Sequence, residues 1–247
     1  MLQLLPEDRH WWFASRTRAL QAILEPHIAG RSGPLRILDV GCGAGNMAHH
    51  LAQYGEVIGF DPHRGALAVA RERKCIVVQA DAAAFPFPES AFDLVAALDV
   101  IEHCDDDFAV LCESQRVLRP GGLVAITVPA FQWLWTYNDT INRHRRRYTA
   151  EQLRTRLEEA GFAVRRLTYT NCLIFPLAAP LLLARGRRPT RRLSAPITDG
   201  AYQVEMEPAS PPVNLILDVI GRLEAVLLRR FDLPVGTGLL AVAERAS

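Results

Sequence analysis

The chain has 247 residues, 49% of them apolar and 22% charged, with a formal net charge of +1. That length suits one large α/β domain with a substantial core, and the balanced charge argues against nucleic acid as a partner. Five cysteines (42, 75, 104, 112 and 172) are odd in number and form no C-x-x-C pair, which speaks against a disulfide framework or a structural zinc site and fits a reducing setting.

The opening residues, MLQLLPEDRHWWF, lack a basic leader with a long apolar core and a cleavage site, so a cytoplasmic protein is expected. Two helical stretches are predicted within residues 1–34, forming a cover that ends where Gly30 to Pro34 punctuate the chain. Strands and helices then alternate: strand 36–40, helix 44–54, strand 56–60, helix 64–73, strand 76–79, strand 92–98, helix 106–118, strand 123–128, helix 150–160 and strand 162–169. Short continuous apolar strands between helices imply a parallel sheet covered on both faces, the α/β class. The RPGG at 119–122 is a stop signal after its helix and a turn into the next strand. Residues 171–233 are an insertion before a last strand at 238–243, too long for a simple connection and so expected to act as a lid over the C-terminal edge of the sheet. All of this sits in a single domain, 1–247.

Two features of the insertion invite a membrane reading. Its apolar piece, 173–184, is followed by Arg185, Arg187, Arg188, Arg191 and Arg192, an apolar wedge beside a basic rim that suits peripheral contact with an anionic membrane or a lipid-linked, isoprenoid-phosphate-like acceptor. Pro176 and Pro180 are expected to break a continuous helix there, which favours an ordinary acceptor-site lid. No run reaches the roughly 18 apolar residues of a membrane-spanning helix. Charge is also uneven along the chain: residues 76–115 hold nine acids and no Lys or Arg, and 143–192 hold thirteen arginines against three glutamates, which predicts two oppositely charged surfaces.

The stretch ILDVGCGAGN, residues 37–46, runs a strand into a carboxylate and three glycines at alternate positions. In an open α/β sheet ligands bind outside the carboxyl ends of the strands. A dinucleotide fingerprint needs G-x-G-x-x-G, but here Asn46 stands where the third glycine belongs, and the phosphate-gripping lysine of a P-loop is missing. Asp39, just before the turn, repels a pyrophosphate by about 1 to 4 kcal/mol at 4 Å, depending on screening, and attracts a cation. Asp61 ends the second strand, where a carboxylate can hold ribose hydroxyls; Asp81 ends the third, where it can accept from an adenine amino group. Three strand ends thus offer acids and no phosphate binder, which fits S-adenosylmethionine: an adenosine, a free ammonium and a positive sulfur.

ILDVGCGAGN, VIGFDP, QADAAAFPFPESAFDLVAALDVIEH and RVLRPGGLVAITVP, in this order and spacing, resemble the motifs of class I S-adenosylmethionine-dependent methyltransferases of the small-molecule type, over residues 36–169 and the terminal strand. The resemblance implies a Rossmann-like seven-stranded sheet of order 3-2-1-4-5-7-6 with strand 7 antiparallel and helices on both faces. It also implies roles. Gly41, Gly43 and Gly45 pass beside the methionyl part together with Asp39, Asp61 and Pro62 grip the ribose, Asp81 and Ala82 read the adenine, and Leu98 and Asp99 lie under the sulfonium end. Phe13 and Arg16 belong to an N-terminal helix that closes over the cofactor.

For the acceptor, an oxygen is favoured over nitrogen or carbon because two histidines are candidate bases: His103, after the fourth strand in DVIEHCDD, and His144, whose four neighbouring arginines (143, 145, 146 and 147) are expected to keep it neutral. Glu102 and His103, in the pattern D-x-x-E-H, invite a divalent ion only weakly, Glu102 being more often solvated or paired with an arginine, so no metal is expected. Trp12, Trp133, Trp135, Tyr137, Arg143 and Tyr148 are candidate acceptor contacts, pointing to an aromatic, apolar or anionic small molecule. A nicotinamide oxidoreductase is disfavoured by Asn46 and Asp39, an inactive cofactor-binding module remains an alternative, and the sequence is silent on oligomeric state.

Overall fold

In the computed structural model, which describes residues 5–31, 33–186 and 209–246, a short 3-10 turn (Pro6–Arg9) leads into α1 (Trp11–Ile28). The alternating part follows: β1 (Leu35–Val40), α2 (Asn46–Leu51), β2 (Gly55–Asp61), α3 (Arg64–Glu72), β3 (Ile76–Gln79), β4 (Phe92–Leu98), α4 (Asp107–Val117) and β5 (Leu118–Pro129). The remainder is α5 (Tyr137–Ile141), α6 (Ala150–Glu159), β6 (Phe162–Thr170), α7 (Phe175–Arg185), α8 (Pro211–Leu228) and β7 (Gly238–Arg245). The seven strands form one sheet in the order β3-β2-β1-β4-β5-β7-β6, with β7 antiparallel to both β5 and β6 and the other pairs parallel. That is the expected order and direction.

Side-chain alternation along each strand divides the core between the two faces. Leu38 and Val40 of β1, Val95 and Ala97 of β4, and Leu239, Ala241 and Ala243 of β7 pack with Val110 and Leu111 of α4 and Leu153 and Leu157 of α6. Their neighbours Ile37, Leu94, Ala96, Leu240 and Val242 face the other way, against Leu20, Ile23 and Leu24 of α1, Met47 and Leu51 of α2, and Leu228 of α8.

Local chemistry sets the helix starts. His10 caps α1 by accepting from Trp12 N, the Asp106 carboxylate accepts from Ala109 N at α4, and Thr149 with Gln152 makes a reciprocal box at α6. Helix α2 starts later than predicted because Gly45, at φ +80°, still belongs to the turn, and it ends at Leu51. RPGG enters the start of β5 as a bulge: the partner of Phe92 is Leu118, but that of Leu94 is Leu123.

The insertion departs from expectation in one respect. Pro176 and Pro180 do not break α7: Pro176 lies in the first turn, where no N–H is needed, and Pro180 deletes a single intrahelical bond. Helix α8 packs on α1 through Arg18–Asp218 at 2.5 Å and Trp11 N donating to Asn214 Oδ1 at 2.9 Å. Buried Glu224 of α8 accepts from Asn171 N and Leu173 N, tying the entry of α7 to α8. Both helices turn apolar residues outward: Leu177, Leu181 and Leu183 on α7, Val213, Ile216, Val219, Leu223 and Val226 on α8, with Leu177 80% exposed. Arg187, Arg188, Arg191 and Arg192 of the anticipated basic rim lie outside the described residues, as does the side chain of Arg185. No described helix is long and apolar enough to cross a membrane.

Candidate functional site

At the carboxyl ends of β1 and β4, beneath α1, an open cavity of about 160 Å³ is lined by Phe13, Arg16, Asp39, Gly41, Gly43 and Leu98, all expected cofactor residues, and by Cys42, Ala44, Asn46 and Met47. The glycine turn takes its shape from backbone demands. Gly41 and Gly45 have φ of +63° and +80°, and a Cβ on Gly45 would lie 2.7 Å from the Cys75 sulfur. Asp61 braces the turn by accepting from Gly43 N at 3.0 Å and from His63 N at 2.8 Å.

Asp39 is 2% exposed and its Oδ2 has no hydrogen-bond partner among the described residues. Burial pushes its carboxyl up to about 7, against the pull of the Arg16 guanidinium and the Ala48 amide. Such a group is costly to ionise where it is buried and gains most from a cation. Arg16 closes the roof: its guanidinium pairs with Asp99 Oδ2 at 2.8 Å, donates to Leu98 O at 2.8 Å and lies 5.5 Å from the Trp12 ring centre. Asp99 adopts φ +57° and accepts from Thr127 Oγ1 at 2.9 Å, so the strand end is fixed in a left-handed turn that aims its carboxylate at α1.

The remaining expected cofactor residues sit farther along the sheet edge. Pro62 O accepts from Gln79 Nε2, exposed Asp81 makes a local turn to Ala83 N, and Ala82 packs on the core. Asn46, which sequence reasoning used only as a missing glycine, lines the cavity with a buried amide nitrogen that has no partner among the described residues; its place directly after the glycine turn was the available signal.

The two candidate bases, His103 and His144, meet edge to face with ring centres 4.7 Å apart. Burial, then His144, holds the His103 imidazole below its usual value. The surroundings of His144 correct the sequence reading. Its Nδ1 lies 2.9 Å from Asp139 Oδ1, a carboxylate rather than a guanidinium, because the flanking arginines are engaged by acids: Arg145 with Asp105, Arg146 with Asp107 and Arg147 with Asp139. Asp139 is fully buried and also accepts from Thr136 N and Oγ1; burial opposes its ionisation, but the bonds from His144 and Arg147 outweigh it and hold the carboxyl well below its ordinary range. The sequence offered no signal for Asp139 beyond its place five residues before His144. Glu102 is likewise neither solvated nor paired with an arginine: it is fully buried, burial pushes its carboxyl well up, and neither oxygen has a hydrogen-bond partner among the described residues.

The aromatic candidates divide. Trp133 stacks on Phe131, which stacks on Tyr169, and Phe175 of α7 closes the group. Trp135 bonds Thr140 instead, Tyr137 opens α5, and Arg143 is exposed at φ +57°. Tyr148 is in the core, 3% exposed, with its hydroxyl donating to Asp107, which removes it from the acceptor surface.

Residues 38–126 match the family model described as a methyltransferase domain. A protein of Mycolicibacterium smegmatis named as a probable S-adenosylmethionine-dependent methyltransferase is 33% identical over 165 residues, covering 65% of this chain and 62% of that one. A ubiquinone biosynthesis O-methyltransferase of Bradyrhizobium is 32% identical over 110 residues, covering 40% of this chain and 42% of that one. The matches thus span about three-fifths or less of the curated relatives. Among solved structures, an S-adenosylmethionine-dependent methyltransferase from Mesorhizobium loti superposes with a TM-score of 0.60 at 19% identity over 94% of this chain and 98% of its own, which shows a common fold. Strands β1 to β5 thus match a methyltransferase domain in sequence, and the whole sheet shares its fold with a solved S-adenosylmethionine-dependent methyltransferase.

Proposed function

We propose that the protein transfers a methyl group from S-adenosylmethionine to a hydroxyl oxygen of a small-molecule acceptor. The observation that carries the reading is Asp39, a buried carboxylate with an oxygen that has no partner among the described residues, in a glycine-walled cavity at the ends of β1 and β4. The residues fit the donor: the glycine turn allows close backbone approach, Asp39 suits its cationic amino-acid end, Asp61 and Pro62 suit the ribose, Asp81 and Ala82 the adenine, and Phe13 and Arg16 cover it. Bound there, S-adenosylmethionine supplies an electrophilic methyl group that passes to the acceptor oxygen as the carbon–sulfur bond breaks and its electrons stay on the thioether sulfur. The protein's share is alignment and exclusion of water, worth roughly 7 to 11 kcal/mol for well-oriented reactants. We read His103 and His144 as the acceptor-side pair that meets the hydroxyl, with Trp12, Trp133, Trp135, Tyr137 and Arg143 as acceptor contacts.

The test is calorimetry with S-adenosylhomocysteine and with NAD, followed by a screen of phenols, sugars, isoprenoid phosphates and amino acids with labelled donor. Binding of S-adenosylhomocysteine and label on an acceptor oxygen are expected; NAD binding without S-adenosylhomocysteine binding refutes the reading.

A second reading of the acceptor is favoured by the outward apolar residues of α7 and α8. In it the acceptor is lipid-linked and the two helices rest on an anionic membrane surface, with the 173–192 stretch supplying arginines. Phe175 of α7 touches Phe131 and Trp133, so such a surface adjoins the acceptor side. Co-sedimentation with anionic vesicles, abolished by Leu177→Ser with Leu181→Ser, is the expected result; failure of the unaltered protein to bind removes this version.

A further inference from the structure

The side chains that meet behind β4 are not explained by donor binding. Glu102, in the turn after β4, is 0% exposed, and both carboxylate oxygens lack a partner among the described residues. Arg16 and Arg147 act on it only through space, and its two oxygens are left to accept a further partner such as a cation. Two imidazoles face it. The ligand-capable atoms of Glu102, His103 and His144 all lie within 4.8 Å of one another. Ligands around one ion at about 2.0–2.2 Å sit roughly 3 to 4 Å apart, so the three need draw in only slightly.

The outer arrangement is also that of a metal-binding imidazole. His144 Nδ1 is held by Asp139 at 2.9 Å, which orients the ring and directs Nε2 away from the carboxylate. Asp139 in turn is fixed by two bonds from Arg147 and two from Thr136. A carboxylate bonded to the far nitrogen of a histidine fixes ring orientation and raises ligand basicity. The three residues come from two separate loops: the turn after β4, and the segment after α5 whose Arg145 N donates to Glu102 O at 2.7 Å.

We infer that Glu102, His103 and His144 form a binding site for one first-row divalent transition-metal ion, positioned by Asp139. Two imidazoles and one carboxylate suit Zn²⁺, Fe²⁺, Mn²⁺ or Co²⁺ and do not suit Mg²⁺ or Ca²⁺, which take all-oxygen sets. Three protein ligands leave coordination positions open on such an ion. The use of those positions rests on the methyl-transfer reading: the ion binds the acceptor hydroxyl oxygen, the O–H proton passes to water, and the oxygen left behind receives the methyl group.

The test is titration of tag-free, chelator-treated protein with Co²⁺, followed by visible absorption and by competition with Zn²⁺. Expected are one Co²⁺ per chain and displacement by Zn²⁺. His103→Gln and His144→Gln should each weaken binding at least tenfold, and Asp139→Asn by about 10- to 100-fold. His103 is at the surface, so its variant tests the site even where replacement of buried Glu102 unfolds the chain; retained S-adenosylhomocysteine binding certifies that the variant is folded. Failure of the unaltered protein to bind Co²⁺, or binding unchanged in both histidine variants, overturns the inference. Co²⁺ binding without S-adenosylhomocysteine binding leaves the metal site standing and removes the methyl-transfer reading, and the opposite pattern does the reverse.

Discussion

Asp39→Asn separates the cost of the cavity's charge from its use. In the folded protein the carboxyl titrates at about 7, against 3.8 for the ordinary group, and burial is the largest cause. The folded state therefore binds more protons than the unfolded chain between those two values, so stability is highest at low pH and declines as pH rises towards 7. Between pH 5 and 8 this one group removes about 2 to 3 kcal/mol, at roughly 1.4 kcal/mol per pH unit up to its folded value. Asparagine does not titrate, but its amide leaves a buried polar atom unpaired, at a cost of about 1 to 3 kcal/mol that is the same at every pH. Urea unfolding of both proteins across pH 5 to 8 is therefore expected to show the variant gaining on the parent by about 2 to 3 kcal/mol as pH rises. Affinity for S-adenosylmethionine should fall at least tenfold in the variant at pH 8, and in the parent it should weaken as pH drops below 7. Parallel stability profiles, or unchanged donor affinity, would show that Asp39 is not the charge the cavity is built around.

Arg16→Ala should raise the donor's dissociation constant by about tenfold, the equivalent of one charge-assisted bond, and Arg16→Lys should recover part of it; calorimetry reads both. Gly45→Ala should lower stability by about 1 to 3 kcal/mol, since φ +80° and the Cys75 sulfur 2.7 Å from the new Cβ both oppose it; a thermal midpoint equal to the parent's would contradict this. Asp139→Ala leaves Arg147 and His144 facing a buried void, for a loss of about 3 to 5 kcal/mol in chemical unfolding. Because the Asp139 carboxyl is held below 3.8, its stabilising contribution is present above that value and disappears on acidification below it, so the gap between variant and parent should close in acid.

Much of the fold was legible because local signals agree with it. The apolar runs at Ile37, Leu94 and Val124 read as buried strands, and each is buried on both faces of the sheet. The cavity was legible from Asp39 and the alternate glycines, since a tight turn with positive φ advertises itself as glycine. The proline argument failed at α7 because the effect of a proline depends on its position within the helical turn, and Pro176 falls where it costs nothing. The charge argument failed for a related reason. The acidic 76–115 block and the basic 143–192 block are not two independent faces: Arg145, Arg146 and Arg156 reach back to Asp105 and Asp107, so part of each charge is spent on the other.

The sequence alone determined the strand succession, the glycine turn and the acids at the strand ends, because all of these depend on residues a few positions apart. Tertiary structure alone decided the state of Glu102, the carboxylate partner of His144, the core position of Tyr148 and the outward apolar residues of α7 and α8. Burial and pairing are set by elements distant in sequence, and a residue's charge state and accessibility follow from what the fold brings against it.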